Sequence, residues 1–252
     1  MTVAILPELS ALFVLVFARV GTLVMLLPGL GERIIQARAR LAVAVFLALM
    51  MMPVARPVMT LPTEPVGLMG LLLGEIMIGF ILGFSSRLIM AALQTAGAIV
   101  AQQLGLGFAT TIDPAAGAQN PSIGNLLSLL GITLILVTDL HHLAIVAIHE
   151  SYRLLPPGGM PDINDAMMLA VMATARGFKL AVQISAPFIV FGLLFNLGLG
   201  VLARLMPQLQ VFFLAVPASI MIGMLVLLAV LGVMMSSFLE ELGAHMRLLT
   251  GR

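Results

Sequence analysis

The feature that most constrains the fold is a series of long apolar runs with almost no charge inside them. Residues 211–239, for example, contain no Asp, Glu, Lys or Arg. A helix that crosses the hydrocarbon core of a bilayer needs about 20 predominantly apolar residues. Over the whole chain 61% of residues are hydrophobic and 9% are charged, whereas soluble domains carry about a quarter charged residues. The sequence therefore predicts an all-α, polytopic membrane protein.

The apolar pattern predicts about six to seven helical segments arranged as hairpins, some of them kinked or too short to span. In chain order we expect them at 9–27, 41–54, 66–84, 88–104, 126–148, 180–202 and 211–239, with a further short helix at 166–176. The segments at 88–104 and 166–176 are the weakest, and the last two segments pair as a C-terminal helical hairpin, 180–239. No soluble domain is recognisable, so we expect a single membrane-embedded domain, 1–252.

The stretch at 105–124 cannot be a long helix. It contains four glycines and two prolines, which interrupt a helical hydrogen-bond ladder. Asp113 is its only charged residue. A long irregular loop between apolar segments is more often functional than incidental. We therefore take this central loop, 105–124, as the candidate functional element, with a passive connector as the alternative.

Glu75 is a lone carboxylate inside an apolar segment, and Gly79 and Gly83 follow it on the same helical face. Small residues on one face allow another helix to approach closely. Two interpretations remain open: a helix-packing face with one satisfied carboxylate, or a proton or ion site. A carboxylate without a partner makes a poor proton path, which favours packing.

Asp139, His141 and His142 lie inside another apolar segment, and we expect them to be buried polar groups with capping or interhelical hydrogen bonds. On one continuous helix Asp139 and His142 share a face with His149. However, about 10 Å would separate the two histidines along the axis, and the neighbouring His141 and His142 would point in different directions. The sequence therefore predicts no metal site.

Motifs for catalysis are missing from the sequence. It has no cysteine, Walker loop, dinucleotide fingerprint or nucleophile elbow. We therefore expect no enzyme, no catalytic residues and no cofactor. The net charge of +1 gives no indication of nucleic-acid binding.

A set of short segments appears in one order along nearly the whole chain. They are Phe17-Ala-Arg-Val-Gly21, Pro28-Gly-Leu-Gly31, Gly74-Glu-Ile-Met-Ile-Gly79, Asp113-Pro-Ala-Ala-Gly117, Asp139-Leu-His-His142, Ser151-Tyr-Arg-Leu-Leu-Pro156 and Arg204-Leu-Met-Pro-Gln-Leu-Gln210. Together they resemble the FliR family of flagellar export-gate proteins, whose injectisome relatives are called SctT.

The resemblance implies a non-enzymatic subunit of the flagellar type III protein export gate, through which unfolded flagellar subunits pass during flagellum assembly. It implies assembly with FliP-like and FliQ-like membrane subunits, together with an FlhB-like switch protein and an FlhA-like export protein. The implied location is the bacterial inner membrane at the flagellar basal body. Whether the system is flagellar or an injectisome stays open.

The resemblance also implies roles for particular residues. In the family the loop between the middle helices plugs the closed channel, and the matching residues are Leu106, Phe108, Thr110, Thr111, Ile112, Asp113, Pro114 and Gly117. Helix packing and assembly are expected of Glu75, Gly79, Gly83, Arg204, Pro207 and Gln208.

Two other functions stay open at this point. A proton- or ion-coupled secondary transporter of small solutes would use interrupted helices around Gly105 and 183–187, with Glu75 or Asp139 as the coupling group. A membrane enzyme that uses the His141 and His142 pair is the third possibility.

Overall fold

The computed structural model describes residues 5–32, 34–59, 61–62, 64–106, 122–158, 162–206 and 211–251. Within these residues the chain forms seven α-helices and no strand, which confirms the all-α prediction. In chain order they are α1 (Ile5–Leu26), α2 (Ala37–Ala55), α3 (Pro65–Gln103), α4 (Ser122–Val137), α5 (Leu140–Leu154), α6 (Ile163–Leu205) and α7 (Val211–Leu249).

Most of these helices are suited to a membrane. Five of those described are long and apolar enough to cross one, and the bent pair of α4 and α5 raises the number to six. Helices α3, α6 and α7 have 39, 43 and 39 residues. At about 1.5 Å per residue, each is roughly 60 Å long, or about twice the hydrocarbon thickness. Part of each long helix must therefore lie outside the hydrocarbon region.

Two interruptions predicted from the sequence are wrong. Helix α3 runs through Ser85 and Ser86, which were expected to separate the segments at 66–84 and 88–104. Both hydroxyl groups donate to the carbonyl oxygen of Leu82 in the same helix, so their polar atoms are satisfied without a break. Residues 166–176 and 180–202 likewise belong to one helix, α6, which runs through Gly177, Phe178 and Lys179.

The continuous helix expected at 126–148 is also wrong, because a break divides it. Helix α4 ends at Val137, α5 begins at Leu140, and their axes differ by 74°. Asp139 between them has left-handed backbone with a φ of 59°, and no other described residue except glycine has a positive φ. Aspartate tolerates this region better than most residues, and a helix cannot continue through it.

The chain divides into two compact units. Unit 1 comprises residues 1–89, 132–175 and 242–252, and unit 2 comprises 90–131 and 176–241. Helices α3, α4, α6 and α7 each contribute residues to both units. The single domain expected for residues 1–252 stays a prediction.

Each unit has its own apolar core. In unit 1, α1 packs on α2, and α2 contacts α5. The fully buried side chains of unit 1 include Leu15, Val16, Val20, Leu23, Ile78 and Tyr152. Those of unit 2 include Leu93, Leu104, Leu127, Phe188 and Phe238.

Candidate functional site

A buried ion pair in unit 1 joins α1 to α3. The side chains of Arg19 and Glu75 are 0% and 1% exposed. Arg19 donates from Nε to Oε2 of Glu75 at 2.6 Å and from Nη2 to Oε1 at 3.0 Å. This bidentate geometry is the strongest arrangement for an arginine and a carboxylate. The interpretation of Glu75 as a carboxylate without a partner is therefore wrong, because Arg19 is its partner.

The same guanidinium also reaches α5. Its Nη1 donates to the carbonyl oxygens of Ser151 at 2.9 Å and Leu155 at 3.0 Å, where the end of the helix carries partial negative charge. The guanidinium carbon lies 4.3 Å from the ring centroid of Tyr152, within the distance of a cation–π contact. Arg19 thus connects α1, α3 and α5 at one point.

This cluster of Arg19, Glu75 and the end of α5 suits a structural connection better than ion transfer. Both carboxylate oxygens of Glu75 accept hydrogen bonds from the guanidinium. A buried pair of this kind adds little net stability by itself, but it is costly to break from one side only. The cluster therefore fixes how three helices pack.

Gly79 and Gly83 bring the backbone of α3 against α1. A Cβ atom at Gly79 would lie 2.5 Å from the carbonyl oxygen of Arg19, and one at Gly83 would lie 2.7 Å from Cβ of Leu26. Both distances are shorter than side chains tolerate, so only glycine fits this close approach. A role of these two glycines in assembly with other subunits stays a prediction.

We expect Gly79→Ala to destabilise the protein by about 1–3 kcal/mol, because the added methyl group overlaps a backbone atom of α1. Gly70→Ala is the matched control in the same helix, where a Cβ atom would meet nothing within 4 Å. That variant should be neutral or slightly more stable, since alanine favours a helix over glycine. Thermal unfolding in detergent, followed by circular dichroism, compares the two. Equal melting temperatures would contradict the close approach.

The first end of the central loop is fixed by a helix cap. Gly105 has a φ of 76°, and its N–H donates to the carbonyl oxygen of Gln102 at 3.1 Å. The N–H of Leu106 donates to the carbonyl oxygen of Ala101 at 3.0 Å. These two bonds form a Schellman motif, which ends a helix at a left-handed glycine. Helix α3 therefore stops where the loop was expected to begin.

Contacts within unit 2 hold both ends of the loop in place. The carbonyl oxygen of Leu104 accepts a hydrogen bond of 2.9 Å from Ser219 Oγ in α7. A Cβ atom at Gly97 of α3 would overlap the backbone of Gly124 in α4, so these helices touch directly. The side-chain amide of Gln94 donates to Ser128 Oγ at 2.8 Å across the same contact. Helices α3 and α4 are thus joined at the base of the loop.

The loop itself lies outside the described residues from 107 to 121. Of the predicted plug residues the structure describes Leu106, in the cap of α3. The others, Phe108, Thr110, Thr111, Ile112, Asp113, Pro114 and Gly117, lie outside the described residues. So do Pro207 and Gln208, whereas Arg204 is exposed in the last turn of α6.

Asp139, His141 and His142 come together at the break between α4 and α5. The expected burial of Asp139 and His142 is wrong for the single chain, because their side chains are 73% and 66% exposed, whereas His141 is half-buried. The expectation that the neighbouring histidines point apart is also wrong, since their ring centroids are 4.3 Å apart. The left-handed turn at Asp139 places these side chains at a bend instead of along a straight helix.

Arg19 and Tyr152 are residues of the buried cluster that were not predicted from the sequence. The sequence did contain a signal for Arg19, because a single arginine and a single glutamate, each in an apolar segment, favour pairing with each other. No such signal marks Tyr152.

Comparison with known proteins gives two decisive matches. The family model described as bacterial export proteins, family 1, matches residues 10–244. The chain is also 44% identical over 211 residues to the flagellar biosynthetic protein FliR of Caulobacter vibrioides, covering 83% of this chain and 84% of that protein. The chain belongs to the FliR family.

Further FliR-family relatives agree with this assignment, and the resemblance inferred from the sequence is confirmed. FliR of Escherichia coli is 31% identical over 224 residues, covering 89% of this chain and 85% of that protein. The secretion system apparatus protein SsaT of Salmonella typhimurium is 29% identical over 161 residues, covering 64% of this chain and 62% of that protein. FliR of Caulobacter vibrioides and FliR of Escherichia coli each match more of the chain than SsaT does. It is a multi-pass inner-membrane protein of the flagellar type III export apparatus.

Proposed function

We propose that this chain helps to form and close the channel of the flagellar type III export gate, through which unfolded flagellar subunits leave the cell. The FliR-family match over residues 10–244 carries this proposal. The role is structural and steric, with no catalytic step.

The exposed apolar surface of α6 supports assembly with other membrane subunits. This helix has 43 residues and is therefore about twice as long as one bilayer crossing needs. Its exposed large apolar side chains include Met167, Val171, Phe178, Val190, Leu193, Leu197, Val201 and Leu205. Apolar surface beyond the hydrocarbon region needs cover from protein. We assign that cover to FliP-like and FliQ-like subunits, with FlhB-like and FlhA-like proteins as further partners.

We assign closure of the channel to the central loop, 105–124, whose last three residues form the start of α4. Its ends are anchored by the cap at Gly105 and by the contact of Gly97 with Gly124, so the loop has a fixed base. Asp113 is the only ionic group in it, and a nearly neutral stopper neither binds nor repels passing chains strongly. Phe108 and Ile112 would supply apolar contacts, and Pro114 would fix a turn.

The secondary-transporter alternative loses two of its supports. Helix α6 passes through residues 183–187 without a break, and the Glu75 carboxylate is paired with Arg19. The three relatives described above are flagellar or secretion proteins by name. The structure and the relatives both fit export better than solute uptake.

Gene deletion and copurification test the proposal. In the bacterium that carries this chain, deletion of its gene should abolish motility and secretion of flagellar subunits while growth and solute uptake stay normal. An affinity-tagged copy should restore motility and, after mild detergent extraction, bring down the FliP-like and FliQ-like subunits. A tagged, unrelated multi-pass protein of the same membrane is the control. Restored motility with a chain that purifies alone would contradict the proposed assembly.

A further inference from the structure

We propose that Asp139, His141 and His142 bind a divalent transition-metal ion of the zinc class. Each residue offers one donor atom, and the three donor atoms lie within 4.8 Å of one another. Donor atoms of a tetrahedral zinc site, about 2.0–2.1 Å from the ion, are roughly 3.4 Å apart. Side-chain rotations that move the donor atoms by about 1 Å would bring them to the spacing of a zinc site. Two of the three side chains are exposed at the bend and are free to make such rotations.

The donor set identifies the class of ion. Two imidazoles and one carboxylate suit zinc, nickel, copper or iron, whereas calcium and magnesium prefer oxygen donors. Three protein donors leave room for water or for one more ligand. Zn²⁺ is the appropriate probe, since it imposes no strong geometry of its own and is not redox active.

Within the described part of the chain, these side chains do not make the capping or hydrogen bonds that would give them an ordinary structural role. Asp139 stands at the N-terminus of α5 but makes no side-chain capping bond. Nδ1 of His141 is buried without a hydrogen-bond partner. Nδ1 of His142 lies 3.6 Å from Oδ1 of Asp139, which is too long for a hydrogen bond. The three side chains are therefore available for an ion.

Two electrostatic effects of opposite sign act on a cation at this position. The N-terminus of α5 is a region of positive potential, which opposes a cation, and the ionised carboxylate of Asp139 offsets it. An ion held here would join the left-handed residue Asp139 to the first turn of α5. It would therefore stiffen the bend that follows α4.

Zinc titration of the full-length chain in mild detergent, together with any subunits that stay bound, tests the proposal. After removal of metal with EDTA and dialysis, Zn²⁺ is titrated in competition with a chromogenic chelator. We expect one additional ion per chain relative to a His141→Gln, His142→Gln double variant, and at least a tenfold weaker affinity in each single variant. His149→Gln is the matched control, because His149 lies on the same helix, is 45% exposed and stands outside the cluster. It should bind as tightly as the unchanged chain.

Two further measurements keep the test decisive. Asp139→Asn changes one exposed carboxylate and should weaken binding even if a histidine variant fails to fold, as judged by circular dichroism. X-ray absorption at the zinc edge should show imidazole nitrogen in the coordination shell. The proposal is overturned if the unchanged chain takes up no Zn²⁺ at submillimolar concentration. It is equally overturned if the double variant binds as much as the unchanged chain. Neither readout depends on protein export.

Discussion

Glu75→Ala should destabilise the protein by about 3–5 kcal/mol, because it leaves the guanidinium of Arg19 buried without its counter-charge. The Arg19 side chain is 0% exposed, so bulk water does not solvate its charge in the folded chain. Two of its four hydrogen bonds disappear, and those to Ser151 and Leu155 remain. The measurement is the thermal unfolding midpoint in detergent, with the amount of protein in membranes as a second readout.

A partly exposed ion pair of the same residue types provides the control, since the Glu150 side chain is 17% exposed. Arg153 donates to Glu150 at 3.1 Å, and the Arg153 side chain is 73% exposed. Exposed pairs contribute about 0–1 kcal/mol, so Arg153→Ala should change the midpoint little. A similar decrease of the unfolding midpoint in both variants would contradict the larger contribution of the buried pair to stability.

A double replacement separates the effect of the two charges from the effect of the side-chain volume. Arg19→Met combined with Glu75→Leu removes both charges and keeps much of the apolar volume, so no buried charge is left unpaired. We expect this variant to be more stable than Glu75→Ala. Recovery should be incomplete, because the carbonyl oxygen of Leu155 loses its guanidinium donor and that of Ser151 keeps only the backbone N–H of Leu155. A double variant no more stable than the single one would show that the charges do not act as a pair.

The helical segments were predictable because apolar runs of this length have few other solutions in a membrane. The breaks were less predictable, since they depend on local hydrogen bonds that composition does not reveal. Ser85 and Ser86 satisfy their hydroxyl groups inside α3, so a polar pair there interrupts nothing. Asp139 adopts left-handed backbone although it has no glycine beside it to signal a turn. The break at Asp139 is therefore visible in the structure and not in the sequence.

The candidate sites were likewise predictable only in part. Gly79 and Gly83 were found from their helical spacing, because periodicity reports which residues share a face. The partner of Glu75 was not found, since Arg19 lies 56 residues away in sequence and spacing says nothing about contacts between separate helices. The exposure of Asp139 and His142 was misjudged because a straight helix was assumed where the chain bends by 74°.

Replacing the central loop gives the largest expected effect on the membrane. A variant in which a short Gly-Ser linker replaces residues 107–121 keeps the Gly105 cap and the contact of Gly97 with Gly124. Because the base is intact, the gate should still assemble. Loss of the stopper should leave its channel open to small ions. A Gly-Ser replacement of residues 159–161, between α5 and α6, is the control and should leave the membrane impermeable to ions.

The conductance of the assembled gate in planar bilayers tests the central claim most directly. Each variant is first shown to copurify with its FliP-like and FliQ-like subunits. If the central loop closes the channel, gates without residues 107–121 carry steady ion currents, whereas unchanged gates and the 159–161 control stay closed. Assembled gates that lack the loop and conduct no more than unchanged gates would contradict the plug.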